Sequence, residues 1–435
     1  MIKKVISNWG NYPKQEAQVI ADTYLKDIRN SILSSDSLIA RGNGKSYGDA
    51  SLGNTVFSTK RLNKLLDFDE KSGIIHCQSG VLLSEIIEFS VPKGYFLSVT
   101  PGTKLISVGG AIASDIHGKN HHSEGCFSNF LLSFELMIDT GDVLTCSREQ
   151  NSELFWKSCG GMGLTGIILS AKFKLKPIET AYIKQISIKC SNLKETLQIF
   201  EKSKKYTYSV AWLDCLSSGK QLGRSIVMLG EHAKLEDLNA KQKKEPLQIH
   251  PKAKWTIPFH FPNFCLNRFS VKAFNFLFYN KQFKKEVSAT VHYEPYFYPL
   301  DIINDWNKIY GTNGFVQYQF VLPREGGIEP LERIIEKIVS RGMGSFLTVL
   351  KTFGPGIPEA PHSFPIEGYT LALDFKVTND LFPFLNELDE IVEKNGGRVY
   401  LTKDARMGVQ FCKTSYPNLK SGSKFNSSLS NRLKL

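Results

Sequence analysis

A chain of 435 residues exceeds what one hydrophobic core usually supports, so two domains are expected. Its eight cysteines show no C-x-x-C spacing, which argues against a structural zinc site and a disulfide framework and suits a reducing compartment. A net charge of +12 is compatible with nucleic acid, anionic lipid or plain solubility; no helix-turn-helix, zinc-finger or RRM pattern accompanies it, so nucleic acid is not expected as a partner.

Along the chain, apolar residues at Ala21, Leu25, Ile28, Ile32 and Leu33 follow helical spacing, and Ser37 to Ala40 predicts a strand. The strand feeds RGNGKSYGD, Arg41 to Asp49. Ile74 to Cys77 predicts a short strand, Leu82 to Phe89 a helix, and Leu131 to Ile138 a strand that turns at Asp139 to Asp142. Between Thr100 and Ser123, Pro101-Gly102 and Gly109-Gly110 mark turns, and AIASDI is too short for an amphipathic helix, so a loop is expected. Strands Thr165 to Leu169 and Ala171 to Leu175 follow, and Pro177 closes the first unit. After about residue 180 the glycine loops thin out and strands such as Ile183 to Ile188 and Ser209 to Leu213 begin a second unit. Ile328 to Val339 and Leu381 to Val392 predict core-facing helices stopped by Gly342 and Gly396-Gly397. A strand from Arg398 to Leu401 then leads to Lys403-Asp404.

No apolar run reaches the roughly 18 residues of a membrane span, and MIKKVISNWG lacks a signal peptide's apolar core. A cytoplasmic protein is therefore expected, with peripheral contact at the inner membrane face as the one membrane option. That option rests on residues 234 to 285, where lysines at 241, 243, 244, 252, 254, 281, 284 and 285 interleave with Trp255 and many phenylalanines. Such a mixture suits an anionic lipid or an acidic amphiphile, and equally a solvated loop over core aromatics.

Chemistry concentrates in two glycine-rich stretches. RGNGKSYGD has one residue between Gly42 and Gly44, where a Walker loop needs four, and no apolar helix opens after it as the Rossmann fingerprint requires. The second stretch, TPGTKLISVGGAIASDIHGKNHHS, offers small side chains that let main-chain N–H groups close on a pyrophosphate or a flat ring. His117 and His121 are four apart, but Gly118 and the turn-rich setting oppose a helical metal site, and no metal is expected. Gln317 and Gln319 alternate with Tyr318 in FVQYQFVLP, so both amides face one side of a strand and can line a polyol pocket.

With SYGDASL, TPGTKLISVGGAIASDIHGKNHH, ELFW, GGMGLTGII and YLTKDAR, the chain resembles the vanillyl-alcohol-oxidase-type flavoproteins, which share the PCMH-type FAD-binding fold, over nearly its whole length. Within that superfamily it is most similar to the branch that oxidises decaprenylphosphoryl ribose. The resemblance implies an α+β, two-domain protein: an FAD-binding domain from residues 1–180 and 398–435, and a substrate domain, 181–397, on an antiparallel sheet flanked by helices. It places the FAD against Arg41, Gly42, Asn43, Gly44, Lys45, Ser46, Tyr47 and Gly48 on one wall and Gly102, Ser107, Gly109, Gly110, Ser114 and His117 on the other, with Ile167 and Tyr400 as further contacts. Lys45 stands where many relatives attach flavin through a histidine, which implies dissociable, non-covalent FAD.

By the same resemblance Lys403 and His117 are the catalytic candidates, and Gln317, Gln319, Lys351, Trp212 and Leu300 the substrate contacts. Flavin-dependent alcohol oxidation needs a group to take the hydroxyl proton while hydride leaves carbon, and a buried lysine with a lowered pKa can do so. The implied reaction is oxidation of the 2-hydroxyl of a polyprenyl-phosphoryl pentose for a cell-wall polysaccharide, completed as an epimerisation by a separate short-chain dehydrogenase/reductase. Thr370 and Ala372 stand where the best-known member has asparagine and cysteine, leaving the exact sugar open. An oxidase or dehydrogenase of a soluble sugar alcohol or aldonolactone, and a basic lipid- or nucleic-acid-binding protein without redox activity, are the alternatives.

Overall fold

The computed structural model describes residues 2–249, 255–262, 264–421 and 424–435; Lys252 and Lys254 of the basic segment lie outside them. Three main sheets organise the chain. Ile2–Ser7, Lys14–Ile20, Thr55–Ser58 and Ile39–Arg41 form a mixed four-stranded sheet, antiparallel in its first pair and parallel beyond. The helix Leu25–Ser34 buries Ile28 and Ile32 beside it, as the helical spacing predicts. A six-stranded antiparallel sheet follows, with Ile167–Pro177 paired to Ile74–Gln78, Tyr95–Leu97 and Leu131–Met137.

Two local expectations change here. The strands predicted at Thr165 to Leu169 and Ala171 to Leu175 are one strand of 11 residues, whose register against Leu131–Met137 shifts between Ile168 and Ser170 and again between Lys172 and Phe173. These irregularities interrupt the alternation that a single strand would show. The segment expected as a loop around Gly109-Gly110 contains a short helix, Val108–Ala113, with the Ser107 side chain as its N-cap. Small residues allow it to lie flat against the six-stranded sheet, where Val108, Ala111 and Ile112 join the core.

From Tyr182 onward an eight-stranded, wholly antiparallel sheet is laid down in the order Glu286–His292, Tyr182–Cys190, Ser225–His232, Tyr208–Leu213, Thr348–Phe353, Gly368–Lys376, Phe315–Pro323, Arg398–Val399. Its helices Leu193–Lys202, Ile328–Arg341 and Leu381–Lys394 supply Leu197, Phe200, Leu331, Ile334, Ile338, Leu385 and Leu388 to one shared core with Tyr318 and Phe320 of the sheet. Each fully buried aliphatic side chain there contributes about 1.5–3 kcal/mol. Strand alternation sends Gln317 and Gln319 the other way, into a cavity. The final strand, Arg398–Val399, is shorter than the Arg398 to Leu401 predicted and still belongs to the large sheet; the chain crosses back at Tyr400 to Thr402, where Thr402 O accepts from Tyr47 N–H. Among the described residues no helix is long and apolar enough to cross a membrane.

Candidate active site

A cavity of about 850 Å³ is lined by the two glycine-rich stretches and the eight-stranded sheet. The strand Ile39–Arg41 delivers its first wall, Gly42 to Tyr47, and Gly44, at φ +64°, supplies the bend. Among the described residues the main-chain N–H groups of Asn43, Gly44, Lys45 and Ser46 donate to no acceptor, leaving a row of donors at the cavity wall. Across from them, Ser107 sits so close to Gly42 that a Cβ there would meet its Oγ at 2.0 Å. The two walls therefore approach each other only because residue 42 is glycine.

These residues fit FAD. Free N–H groups suit a pyrophosphate, and the buried Ser79 Oγ, also on the cavity wall, has no hydrogen-bond partner among the described residues. A Cβ at Gly102 would meet nothing within 4 Å and would project into open space at the wall. Gly102→Val is accordingly expected to leave folding stability within about 0.5 kcal/mol of the parent while FAD content, read by absorbance of the purified protein, falls severely. Full flavin occupancy in that variant would place the cofactor elsewhere.

The reactive end of the cavity is built from three sheet strands and the His117 segment. Thr370 Oγ1 gives its hydrogen to Phe320 O at 2.8 Å, so toward Gln319 it can only accept. The Gln319 amide nitrogen then donates to Thr370 at 3.3 Å and to His117 Nε2 at 3.1 Å. A neutral imidazole has one donor and one acceptor, so its proton lies on Nδ1, 3.1 Å from Lys351 Nζ. Burial and the neighbouring lysines hold His117 well below its ordinary pKa, and keep it neutral. An ammonium at Lys351 would meet Nδ1–H donor to donor; burial and nearby Lys403 bring that amine down to about 7.

Lys403 lies over the Tyr47 ring, 4.0 Å from its centroid, and burial lowers its pKa to about 8 against the opposing pull of Asp374. Asp374 is pushed up to about 7 by burial, accepts from Gln317 Nε2 at 2.6 Å and also receives Tyr310 OH at 3.3 Å. Lys119, its amine donating to Tyr296 O, is brought to about 7 by burial and by Lys351. Three buried amines with depressed pKa values thus share one chamber. Such a chamber favours an anion, whose arrival would relieve their mutual repulsion.

The structure brings together on this cavity Gly42, Asn43, Gly44, Lys45, Ser46, Tyr47, Gly102, Ser107, Gly109, Gly110, Ser114, His117 and Tyr400 from the expected cofactor set. It also brings Gln317, Gln319, Lys351, Trp212, Leu300 and Lys403 there. Three expected cofactor contacts do not reach it. The Arg41 guanidinium turns back to Asn8 Oδ1 and Ser7 O, bracing the N-terminal strand. Gly48 abuts Asp404 O, which a Cβ would meet at 1.5 Å, so its role is close packing of the loop on the Lys403 segment. Ile167 points into the core beside Ile28 and Ile32, and its neighbour Ile168 faces the cavity, since successive strand residues face opposite ways.

Ser79, Lys119 and Asp374 were not foreseen. Asp374 shares a strand face with Thr370 and Ala372, so the alternation in YTLALDF carried its signal; Lys119 lay inside the histidine-rich run; nothing in the sequence marks Ser79. Lys45 Nζ sits 3.4 Å from the centre of the Trp9 ring, and burial lowers its pKa to about 8. His122 Nε2 bonds Tyr206 O at 2.8 Å and His121 packs on Phe353, so the two histidines after His117 serve packing.

Comparison with known proteins agrees with this geometry. The FAD binding domain family matches residues 28–147. Decaprenylphosphoryl-beta-D-ribose oxidase of Mycolicibacterium smegmatis is 39% identical over 389 residues, covering 88% of this chain and 84% of that one. An uncharacterised protein of Streptomyces coelicolor is 29% identical, covering 78% and 93%. The xylooligosaccharide oxidase of Myceliophthora thermophila shares the fold, with a TM-score of 0.65 at 16% identity over 92% of this chain and 86% of that one. Fold, walls and matches together define an FAD-dependent oxidoreductase with the PCMH-type flavin-binding fold. More narrowly, the chain belongs to the decaprenylphosphoryl-β-D-ribose oxidase family.

Proposed function

We propose that the protein oxidises the 2-hydroxyl of a polyprenyl-phosphoryl pentose to the ketone, with non-covalent FAD. The carrying observation is the convergence of Lys403, His117, Lys351, Gln317 and Gln319 on one end of the cavity that also holds the glycine loop. Residues 1–180, with the chain after Tyr400, serve the cofactor; the eight-stranded sheet serves the substrate. FAD, when bound, supplies the hydride acceptor.

Lys403, as the free amine, takes the hydroxyl proton as the carbon-bound hydrogen leaves with its electron pair. Gln317, fixed by Asp374, and Gln319, fixed by Thr370, orient the sugar hydroxyls. His117 holds its Nδ1 proton toward the free amine of Lys351, and Lys119 supplies positive charge for the phosphodiester. A separate short-chain reductase returning hydride to the other face would complete an epimerisation, and the lipid-linked substrate implies peripheral membrane contact.

The test is anaerobic titration of the FAD-loaded protein with farnesylphosphoryl ribose and, in parallel, with a soluble aldonolactone precursor. The reading predicts flavin bleaching by the first alone, with a sugar product two hydrogens poorer that incorporates deuterium at C2 on borodeuteride trapping. Bleaching by the soluble compound alone would move the assignment to soluble carbohydrates.

A further inference from the structure

The cavity has a roof whose outer surface is unlike the rest of the molecule. The short parallel pair Trp255–Thr256 and Ile303–Asn304, and the helix Arg268–Asn280, lie across it, and Ile257, Phe274 and Phe278 line the cavity from this side. Val271, Asn275 and Tyr279 seat the helix on the protein. Among the described residues its remaining face carries no cover: Phe269 is 82% exposed, Phe276 56% and Leu277 68%, and nearby Trp255, Phe264 and Phe283 are 71–93% exposed. Single exposed apolar residues are ordinary; this many within 29 residues are not.

Charge identifies what covers them. Residues 246–285 contain no aspartate or glutamate and seven lysines and arginines. Arg268, Lys272, Lys281 and Lys284 are exposed among the aromatic side chains. Protein–protein contact surfaces are depleted in lysine, whereas aromatic rings framed by lysine and arginine suit the headgroup zone of an anionic bilayer. Phe274 and Lys281 both line the cavity and reach solvent, so the cavity opens at the edge of this same face. Inside that opening the wall is apolar, formed by Trp212, Met228, Phe278 and Phe346, with Trp212 and Phe278 4.5 Å apart.

We infer that the outer face of this roof docks on an anionic lipid bilayer and that the apolar passage beneath the Arg268–Asn280 helix carries the isoprenoid chain, so the sugar reaches Lys403 while the tail's far end stays in the bilayer. This rests on the lipid-linked substrate proposed above. The roof is bifunctional: its inner aromatic residues grip the chain and its outer ones enter the interface. Substrate then reaches the site from the membrane, without transfer of a polyprenyl chain through water.

The experiment floats the FAD-loaded full chain with vesicles of phosphatidylcholine alone and with phosphatidylglycerol added, for the wild type, Phe276→Ser/Leu277→Ser and Lys272→Glu/Lys284→Glu. These side chains lie outside the core and the cavity lining, and an unchanged flavin spectrum certifies each variant's fold. The wild type is expected to co-float with the anionic vesicles, and each double variant to do so about tenfold less. Flavin reduction by soluble farnesylphosphoryl ribose should persist in both variants, while reduction by a long-chain substrate embedded in vesicles falls by a similar factor. A wild type that does not float, or variants that float equally well, overturns the docking surface. Self-association that Phe276→Ser/Leu277→Ser abolishes, without flotation, would assign the face to a second copy and overturns it too. Flotation without bleaching by the soluble substrate would sink the substrate reading and leave the lipid surface standing, so the two failures are distinguishable.

Discussion

Replacing Lys403 with methionine will slow flavin bleaching by substrate about 10²–10⁴-fold, the range for loss of a positioned acid or base, while FAD content stays at the parent level. Methionine reproduces the four-atom apolar stem of lysine, so packing beside Tyr47 is retained and only the amine is lost. The pH dependence follows from the same group. Burial lowers the folded pKa of Lys403 to about 8, and the active form is the free amine present above that value. The wild-type bleaching rate is therefore expected to climb about tenfold per pH unit below 8 and to level off above it. Lys403→Met removes that rise. A variant that keeps both the rate and the pH profile would transfer the base role to Lys351, whose amine is lowered to about 7.

Arg432→Met will destabilise the protein by about 3–5 kcal/mol, the cost of removing one partner from a buried ion pair, and will release FAD at a lower denaturant midpoint. Arg432 contacts Asp49 through two nitrogens, at 2.8 and 2.9 Å, and Asp404 Oδ2 at 2.8 Å. Asp49 ends the glycine loop and Asp404 follows Lys403, so one guanidinium ties that loop, the Lys403 segment and the C-terminal helix Ser428–Leu433 together. Both carboxylates are almost wholly buried. Burial raises Asp49 even beside Arg432, whereas the positive charges of Arg432 and Arg406 outweigh burial and hold Asp404 below its ordinary value. Without Arg432 the Asp49 and Asp404 carboxylates face each other with only the charge of Arg406 left near Asp404, and protonation relieves them. The deficit should shrink as pH falls from 8 to 5, and Arg432→Lys, which keeps charge but not the fork, should fall between the two. A midpoint equal to the parent's would show that this triad does not hold the loop.

Much of the cavity was legible in the sequence because each of its two glycine-rich walls is one contiguous stretch. RGNGKSYGD places Gly42 where a Cβ would meet Ser107 of the facing wall, and the stretch from Thr100 to Ser123 places Gly102 where a Cβ would project into open space at the cavity; such positions leave a local mark. The pairing of Gln317 with Gln319 was visible from strand alternation alone. What escaped is non-local or hinges on register. Thr370, Gln319, His117 and Lys351 polarise one another across more than 250 residues, and the tautomer of His117 depends on where a threonine hydroxyl points. Asp374 became meaningful only once its strand lay against Gln317. Ile167 and Ile168 differ by one position on an irregular strand, and one position decides between core and cavity. Arg41 belongs to the glycine-rich motif proposed to hold the cofactor, yet its side chain serves the fold.

The most direct measurement of the central claim is the visible spectrum of the purified protein, taken anaerobically before and after farnesylphosphoryl ribose, with the supernatant of an acid precipitation assayed for flavin. The account predicts an oxidised flavin band that bleaches on addition of substrate and FAD recovered free in that supernatant. A colourless protein that takes up no added FAD would contradict the assignment of both glycine walls.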